Sequence, residues 1–175
     1  GHTVGRSDLD DWERTLGINL WGAIYGCHHF VPVMSEHGHG GIINVASAAG
    51  FAAGPRMAAY NVSKAGVMSL SETLATELAG SGLRVTVLCP TFVKTNIFTG
   101  PLIESGAADA AAGIAKYVGM SPDKVARTTL DAHDKGRLYV VPPTRRQGHL
   151  AVQAFRPVDA RARRRAPRPT RPVHR

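Results

Sequence analysis

Cysteine is nearly absent: Cys27 and Cys89 are the two in 175 residues. Both sit inside apolar runs and read as buried, reduced thiols, which excludes a disulfide framework. No run of 18 apolar residues occurs, so no membrane-spanning helix is expected. Also missing is a Gly-rich turn leading from a strand into a helix N-terminus, the arrangement that cradles a phosphate. Gly38-His39-Gly40-Gly41 is Gly-rich, but it leads from helix into strand and reads as a tight loop. His28, His29, His37 and His39 straddle a helix end without the Cys or carboxylate pattern that closes a metal site, and no metal is expected. No secretory leader pattern is visible, so the expected location is cytoplasmic.

Net charge is missing from most of the chain. Residues 1–144 hold 11 Lys plus Arg and 12 Asp plus Glu, a net of −1; residues 145–175 hold 10 Arg, no Lys and one acid, Asp159, a net of +9. The sequence therefore divides into a body, 1–144, large enough for one core, and an Arg/Pro-rich tail, 145–175, expected to be disordered because it cannot bury enough apolar surface. Three readings of the tail stand side by side: an anion-binding arm, a solvated extension without function, or an out-of-frame product of a GC-rich gene. Phe155 is its one aromatic residue, so it offers no stacking platform, and a nucleic-acid partner is not expected.

The body alternates helices and strands. Ser7 reads as an N-cap, with Asp8, Asp10, Asp11 and Glu13 in the turns where the helix dipole favours acids. Apolar residues recur at helical spacing from Leu9 to Met34; Pro32 falls near the end and Gly38 stops the helix. Ile42–Ala46 is a short buried strand, Tyr60–Ala79 a helix, and Leu83–Cys89 a β-branched strand stopped by Pro90. An Ala-rich helical stretch spans Ala107–Tyr117. Ser121-Pro122 opens a helix running to Asp134, and Leu138–Val141 is a last strand. Helices between strands imply parallel crossovers in an α/β sheet. Gly17, Gly22 and Gly26 suggest close helix packing.

The chemistry concentrates in Ser47, Tyr60 and Lys64. Tyr60 and Lys64 are four apart, which stacks them on one helix face. Ser47 ends the preceding apolar run and can face the start of that helix. A free phenol titrates near pH ~10, and an ammonium beside it favours the phenolate. A Tyr brought toward the operating pH serves as a general acid or base, worth about 10²–10⁴-fold. The Ser hydroxyl can bond a substrate oxygen meanwhile. The trio suits interconversion of an alcohol and a carbonyl, with the hydride supplied from elsewhere. Taken alone, Tyr60 and Lys64 also fit an ordinary exposed helical pair, Ser47 a simple turn, and Thr95 a helix cap.

From Ser7 to about Pro142 the sequence resembles the C-terminal part of a short-chain dehydrogenase/reductase. Ser47, Tyr60 and Lys64 fit the family's Ser, twelve residues, Tyr, three residues, Lys. Asn19, in Gly17-Ile18-Asn19-Leu20-Trp21-Gly22, falls where the family has an Asn supporting a proton relay. Pro90-Thr91-Phe92-Val93-Lys94-Thr95 matches the family's Pro-Gly, Val, Thr segment, except that Thr91 replaces Gly. The resemblance implies a partial Rossmann-like doubly wound α/β sheet, NAD or NADP as cofactor, and a small alcohol or carbonyl substrate. It implies roles for Tyr60 as acid/base, Lys64 on the nicotinamide ribose and Ser47 on the substrate oxygen, with Pro90, Val93 and Thr95 bordering the nicotinamide. Phe92, Phe98 and the segment to Met120 would shape the substrate pocket. A homodimer or homotetramer built on the Asn19 helix and the Tyr60/Lys64 helix is implied too. By the same resemblance the chain starts just after the family's fourth strand, so the parts that grip adenine and pyrophosphate fall outside it, and the Ile42–Ala46 strand lacks its usual neighbour. The alternative expectation is a truncated, inactive fragment or an interaction module with a basic tail.

Overall fold

The computed structural model describes residues 2–95 and 119–142. A 3-10 turn at Val4–Arg6 leads into α1, Leu9–Leu16. The cap is Asp8, one residue beyond the expected Ser7: its carboxylate accepts from the Asp10 N–H. Ser7 is otherwise engaged. Its Oγ donates to the Val4 carbonyl and accepts from Trp12 Nε1. The anionic Asp8 is also the better group beside the positive end of a helix dipole. A π-turn, Gly17–Trp21, joins α1 to α2, Gly22–His37. Pro32 is carried within α2, which ends at Gly38 with φ 70°, a left-handed conformation that glycine adopts without a Cβ penalty.

Three strands follow in chain order, β1 Gly40–Val45, β2 Leu83–Leu88 and β3 Tyr139–Val140, and they pair in that order, all parallel. Parallel neighbours need long crossovers. The first runs through α3, Ala58–Glu77; the second includes α4, Pro122–Asp134. The period of two along β2 sorts its side chains between two helical layers. Val85 clusters with Cys27 of α2 and Leu74 of α3, and Val87 with Val67 and Met68 of α3. On the opposite face, the Arg84 guanidinium donates to the Asp134 carbonyl, and Thr86 bonds His133, both on α4. Helices thus cover both faces, the doubly wound arrangement that the β-branched run of β2 demands. Each fully buried aliphatic side chain, such as Val67 or Val87, contributes roughly 1.5–3 kcal/mol. Cys27 and Cys89 are buried and unbridged.

Among the described residues β1 pairs with β2 alone, and Val45 is 54% exposed. An open groove lies between α2 and β1, lined by residues including Ala23, Cys27, Phe30, Met34, Ile42 and Asn44.

Among the described residues, close helix packing does not run through Gly17, Gly22 or Gly26: a Cβ at any of them would meet nothing within 4 Å. It runs through Gly66 of α3, where a Cβ would lie 2.9 Å from Leu20. Gly17 and Gly22 are exposed and Gly26 is half-buried, and the intimate contact is made by the glycine of the facing helix. The expected helix Ala107–Tyr117, Phe98 and the 145–175 tail lie outside the described residues. No helix among the described residues is long and apolar enough to cross a membrane.

Candidate active site

The site forms where the β1–β2 ladder runs past its strand ends. The Ala46 N–H donates to the Leu88 carbonyl at 2.8 Å, and the Ala48 N–H to the Pro90 carbonyl at 3.0 Å. Ser47 is thereby held in extended backbone between two fixed neighbours, beside Pro90. Its Oγ accepts from the Ala49 N–H at 3.1 Å and opens a 3-10 turn, Ala48–Gly50. The hydroxyl proton is left unspent within the described residues.

Gly50 decides how close that turn can approach α3. A Cβ there would lie 3.1 Å from the backbone at Lys64 and Ala65 and would strike the Met68 sulfur. With hydrogen in that place, the Ser47 turn seats directly on the helix at Lys64.

Tyr60 and Lys64 share one face of α3, with Nζ 5.7 Å from the Tyr60 ring centroid. Lys64 Nζ donates to the Val45 carbonyl at 3.0 Å, two residues before Ser47. An ammonium has three protons, so two remain for other acceptors. Partial burial holds the Lys64 pKa below its ordinary 10.5. The Tyr60 hydroxyl makes no hydrogen bond among the described residues.

Asn19 sits in the π-turn, an irregularity often found at functional sites. Its Nδ2 donates to Ser63 Oγ at 3.2 Å, and Ser63 Oγ donates to the Tyr60 carbonyl at 2.7 Å. Asn19 therefore reaches α3 through a fully buried serine. Sequence reasoning missed Ser63, although its place three residues after Tyr60 and one before Lys64 was the available signal. It also missed Asn61, which donates to the Gly54 carbonyl at 2.8 Å and so ties down the loop between Ser47 and Tyr60.

Pro90, Phe92, Val93 and Thr95 are spread over the next segment. The Met120 N–H donates to the Phe92 carbonyl at 3.2 Å, and the Lys94 N–H to the Met120 carbonyl at 2.9 Å, in a parallel bridge centred on Val93. Val93 packs on the cluster of Leu88, Met120, Val125, Ala132 and Val140, so its side chain anchors the segment in the core. Phe92 is half-buried, and Thr95 is exposed with its N–H on the Val93 carbonyl. Thr91 keeps a negative φ, so the backbone has no need of the glycine seen in the family pattern. Among the described residues there is no group of three His, Cys, Asp or Glu placed to hold a metal ion.

A family model described as short chain dehydrogenase matches residues 2–101, more than half of the chain. The chain belongs to the short-chain dehydrogenase family. It is 38% identical over 103 residues to a D-beta-hydroxybutyrate dehydrogenase of Rhizobium meliloti, covering 59% of this chain and 38% of that protein. It is 37% identical over 90 residues to a 3-oxoacyl-[acyl-carrier-protein] reductase of Thermotoga maritima, covering 51% of this chain and 37% of that one. The chain thus spans well under half the length of these curated relatives. A short chain dehydrogenase/reductase of Burkholderia phymatum, solved in complex with NAD, superposes with a TM-score of 0.75 at 28% identity, over 99% of this chain and 66% of that one. A short-chain dehydrogenase of Sphingobium yanoikuyae in complex with NADPH gives 0.69 at 25% identity, over 88% and 56%. As a member of this oxidoreductase family, the chain has the Rossmann-like parallel α/β fold expected from its sequence.

Proposed function

We propose that this chain carries the acid–base centre of an NAD(P)-dependent oxidoreductase that interconverts an alcohol and a carbonyl. The observation that carries this reading is a set of unspent hydrogen-bonding groups around the end of β1. The Ser47 hydroxyl proton, the Tyr60 hydroxyl and two protons of Lys64 have no hydrogen-bond partner among the described residues, while the Ala46 and Ala48 N–H groups on either side of Ser47 are bonded. Ser47 is buried and Tyr60 and Lys64 are half-buried, and polar groups so placed with bonding capacity to spare suit a ligand.

The donor set fits a nicotinamide dinucleotide. Lys64, held by one bond to Val45, has two protons for the ribose hydroxyls, and Pro90, Val93 and Thr95 would border the nicotinamide. The cofactor would supply or accept the hydride. In the reducing direction, Ser47 donates a hydrogen bond to the substrate carbonyl oxygen and Tyr60 delivers the proton that makes it a hydroxyl. In the oxidising direction Tyr60 takes that proton back. Lys64 lies close enough to favour the phenolate form between these steps. Asn19, through Ser63, holds the Tyr60 turn of α3 in place and would support a relay that returns the proton. Phe92 would pack against the apolar part of the substrate.

Support comes also from the relatives, among them a D-beta-hydroxybutyrate dehydrogenase and a 3-oxoacyl-[acyl-carrier-protein] reductase, and from solved neighbours in complex with NAD or NADPH. The exposed Ile18, Trp21 and Tyr25, spaced along one side of the π-turn and α2, would be covered in a homodimer or homotetramer.

Titration of the full chain with NADH and with NADPH, followed by cofactor fluorescence, tests the reading. Saturable binding that disappears in Lys64→Ala is expected. Binding that is unchanged in Lys64→Ala, or absent in a chain that is folded by circular dichroism, removes the assignment.

A further inference from the structure

Tyr60, Lys64, Met68 and Glu72 are spaced four apart and form one stripe along α3. The first two belong to the site. Met68 lies against the Ser47 turn at Gly50. Glu72, two turns beyond Lys64, has no role in the chemistry proposed above. Its carboxylate nevertheless accepts a short hydrogen bond from the Tyr139 hydroxyl, across 67 residues of sequence.

Tyr139 opens β3, next to the central strand, where Val87 is its register partner. Its ring also packs on Phe51, with centroids 5.5 Å apart and the planes tilted by 44°. Phe51 closes the turn that Ser47 opens: its N–H donates to the Ala48 carbonyl at 3.0 Å. A single half-buried side chain on the sheet therefore holds the helix bearing Tyr60 and Lys64 by its hydroxyl and the turn bearing Ser47 by its ring.

We propose that Tyr139 and Glu72 are positioning residues that set α3 and the Ser47 turn in register with each other. α3 is also tied to β1 where Asn44 Nδ2 donates to Ser71 Oγ at 2.9 Å, whereas Tyr139 reaches both the helix and the Phe51 end of the turn through one side chain. Apolar side chains on α3 resist separation from the sheet, but they resist sliding along it weakly, because burial is non-directional. A phenol–carboxylate bond fixes the helix at one point along its axis, and charge-assisted bonds of this kind are short and directional. Lys64 supplies a second fixed point at Val45, two turns away. Together with the Asn44–Ser71 bond, these two points resist rotation and translation of α3 relative to Ser47. The Phe51 contact adds the turn to the same rigid unit. Burial and the neighbouring carboxylate both raise the Tyr139 pKa, so the hydroxyl keeps the proton that the bond requires.

This inference rests on the proposed function for its catalytic consequence, but its structural part can be read independently. Three full-chain variants separate the contributions. Tyr139→Phe keeps the ring and loses the hydroxyl, Glu72→Gln keeps an acceptor without the charge, and Tyr139→Leu removes both contacts. Amide hydrogen exchange at Gly50, Phe51 and Ala52, measured beside global unfolding in urea, reads the turn without any need for activity. Exchange faster by about tenfold or more is expected in Tyr139→Leu, with a smaller rise in Tyr139→Phe and near-native exchange in Glu72→Gln.

Turnover with NADH or NADPH and a β-oxo acid ester as probe is expected to fall about 10- to 100-fold in kcat for Tyr139→Phe, with cofactor KM little changed and recovery in Glu72→Gln. A loss confined to global stability, with turn exchange and kcat as in the parent chain, overturns the proposal. Accelerated exchange in a chain that neither binds nor turns over cofactor upholds the brace and instead removes the proposed function.

Discussion

The Lys64 ammonium donates to the Val45 carbonyl at 3.0 Å, which pins α3 to the strand end two residues before Ser47. Lys64 is thereby restrained by backbone, while the Tyr60 hydroxyl one turn earlier is restrained by nothing among the described residues. The division suits a site in which one group holds its place and another exchanges protons.

Removing the Tyr60 hydroxyl should therefore cost function and almost no stability. Tyr60→Phe is expected to lower turnover by about 10²–10⁴-fold, the usual worth of a general acid or base. Its unfolding midpoint should change by no more than the ~0.5 kcal/mol typical of a substitution that breaks no bond. Steady-state kinetics beside urea denaturation checks both. Near-normal kcat in a folded Tyr60→Phe would rule out the acid/base role.

Lys64 should show the opposite balance. Its pKa is lowered by desolvation, so the charged form is penalised in the folded chain relative to the unfolded one. The unfolded state then binds protons more tightly, and stability rises as pH climbs from the folded pKa toward 10.5. Below the folded pKa the penalty is present in full. Lys64→Met removes the charge and keeps the apolar stem. It should raise the urea midpoint at pH 7, with a gain that shrinks as pH approaches 10.5, while cofactor binding is lost. A midpoint that drops at pH 7 would mean that the bond to Val45 outweighs desolvation.

Much of this was legible in the sequence, for identifiable reasons. Helices and strands were readable because their periods differ and Gly38, Pro90 and Pro122 punctuate them. Ser47, Tyr60 and Lys64 were readable because their spacing places them on adjoining ends of a strand and a helix. Ser63, Gly50 and the Glu72–Tyr139 pair were not, because each depends on a contact between residues distant in sequence or on the absence of a side chain. The cap was misplaced by one residue because Ser7 and Asp8 are both good caps, and the contacts of Ser7 with Val4 and Trp12, which sequence does not reveal, help decide between them. Gly17, Gly22 and Gly26 make no close contact among the described residues, and sequence does not distinguish a glycine that packs within a chain from one that is open to its surroundings.

Gly50→Ala tests how tightly the Ser47 turn must seat. The new methyl could displace the flexible end of Met68, but the α3 backbone at Lys64 and Ala65, 3.1 Å away, cannot give locally. Overpacking of this kind costs about 1–3 kcal/mol. The turn should therefore lift from α3, separating Ser47 from Lys64. The expected outcome is a lower unfolding midpoint together with weaker substrate binding, seen as a raised substrate KM. Gly54→Ala is the control, since its Cβ would meet only Met57, at an ordinary 3.7 Å. Equal behaviour of the two variants would remove the close-seating argument.

Alkaline pH should destabilise this chain through one buried and one half-buried group. Cys89 is fully buried at the end of β2, and desolvation pushes its pKa from 9.0 up to about 12. Tyr139 is raised above 10.0 by burial, then by its hydrogen bond to Glu72 and the Glu72 charge. Both groups are neutral when protonated, and both ionise more readily once unfolded. The stability they contribute is therefore complete below pH 9, begins to fall as Cys89 titrates in the unfolded chain, and is lost as pH rises toward 12. Cys89→Ala leaves a small cavity and should be less stable than the parent at pH 7. The decisive quantity is the slope of stability against pH between 9 and 12, which should be shallower in Cys89→Ala, and shallower again when Tyr139→Phe is added. Urea midpoints at pH 7, 9, 10 and 11 give that slope directly. Parallel curves for the parent and both variants would show that neither group ionises on unfolding in this range, and would contradict the burial of the Cys89 thiol.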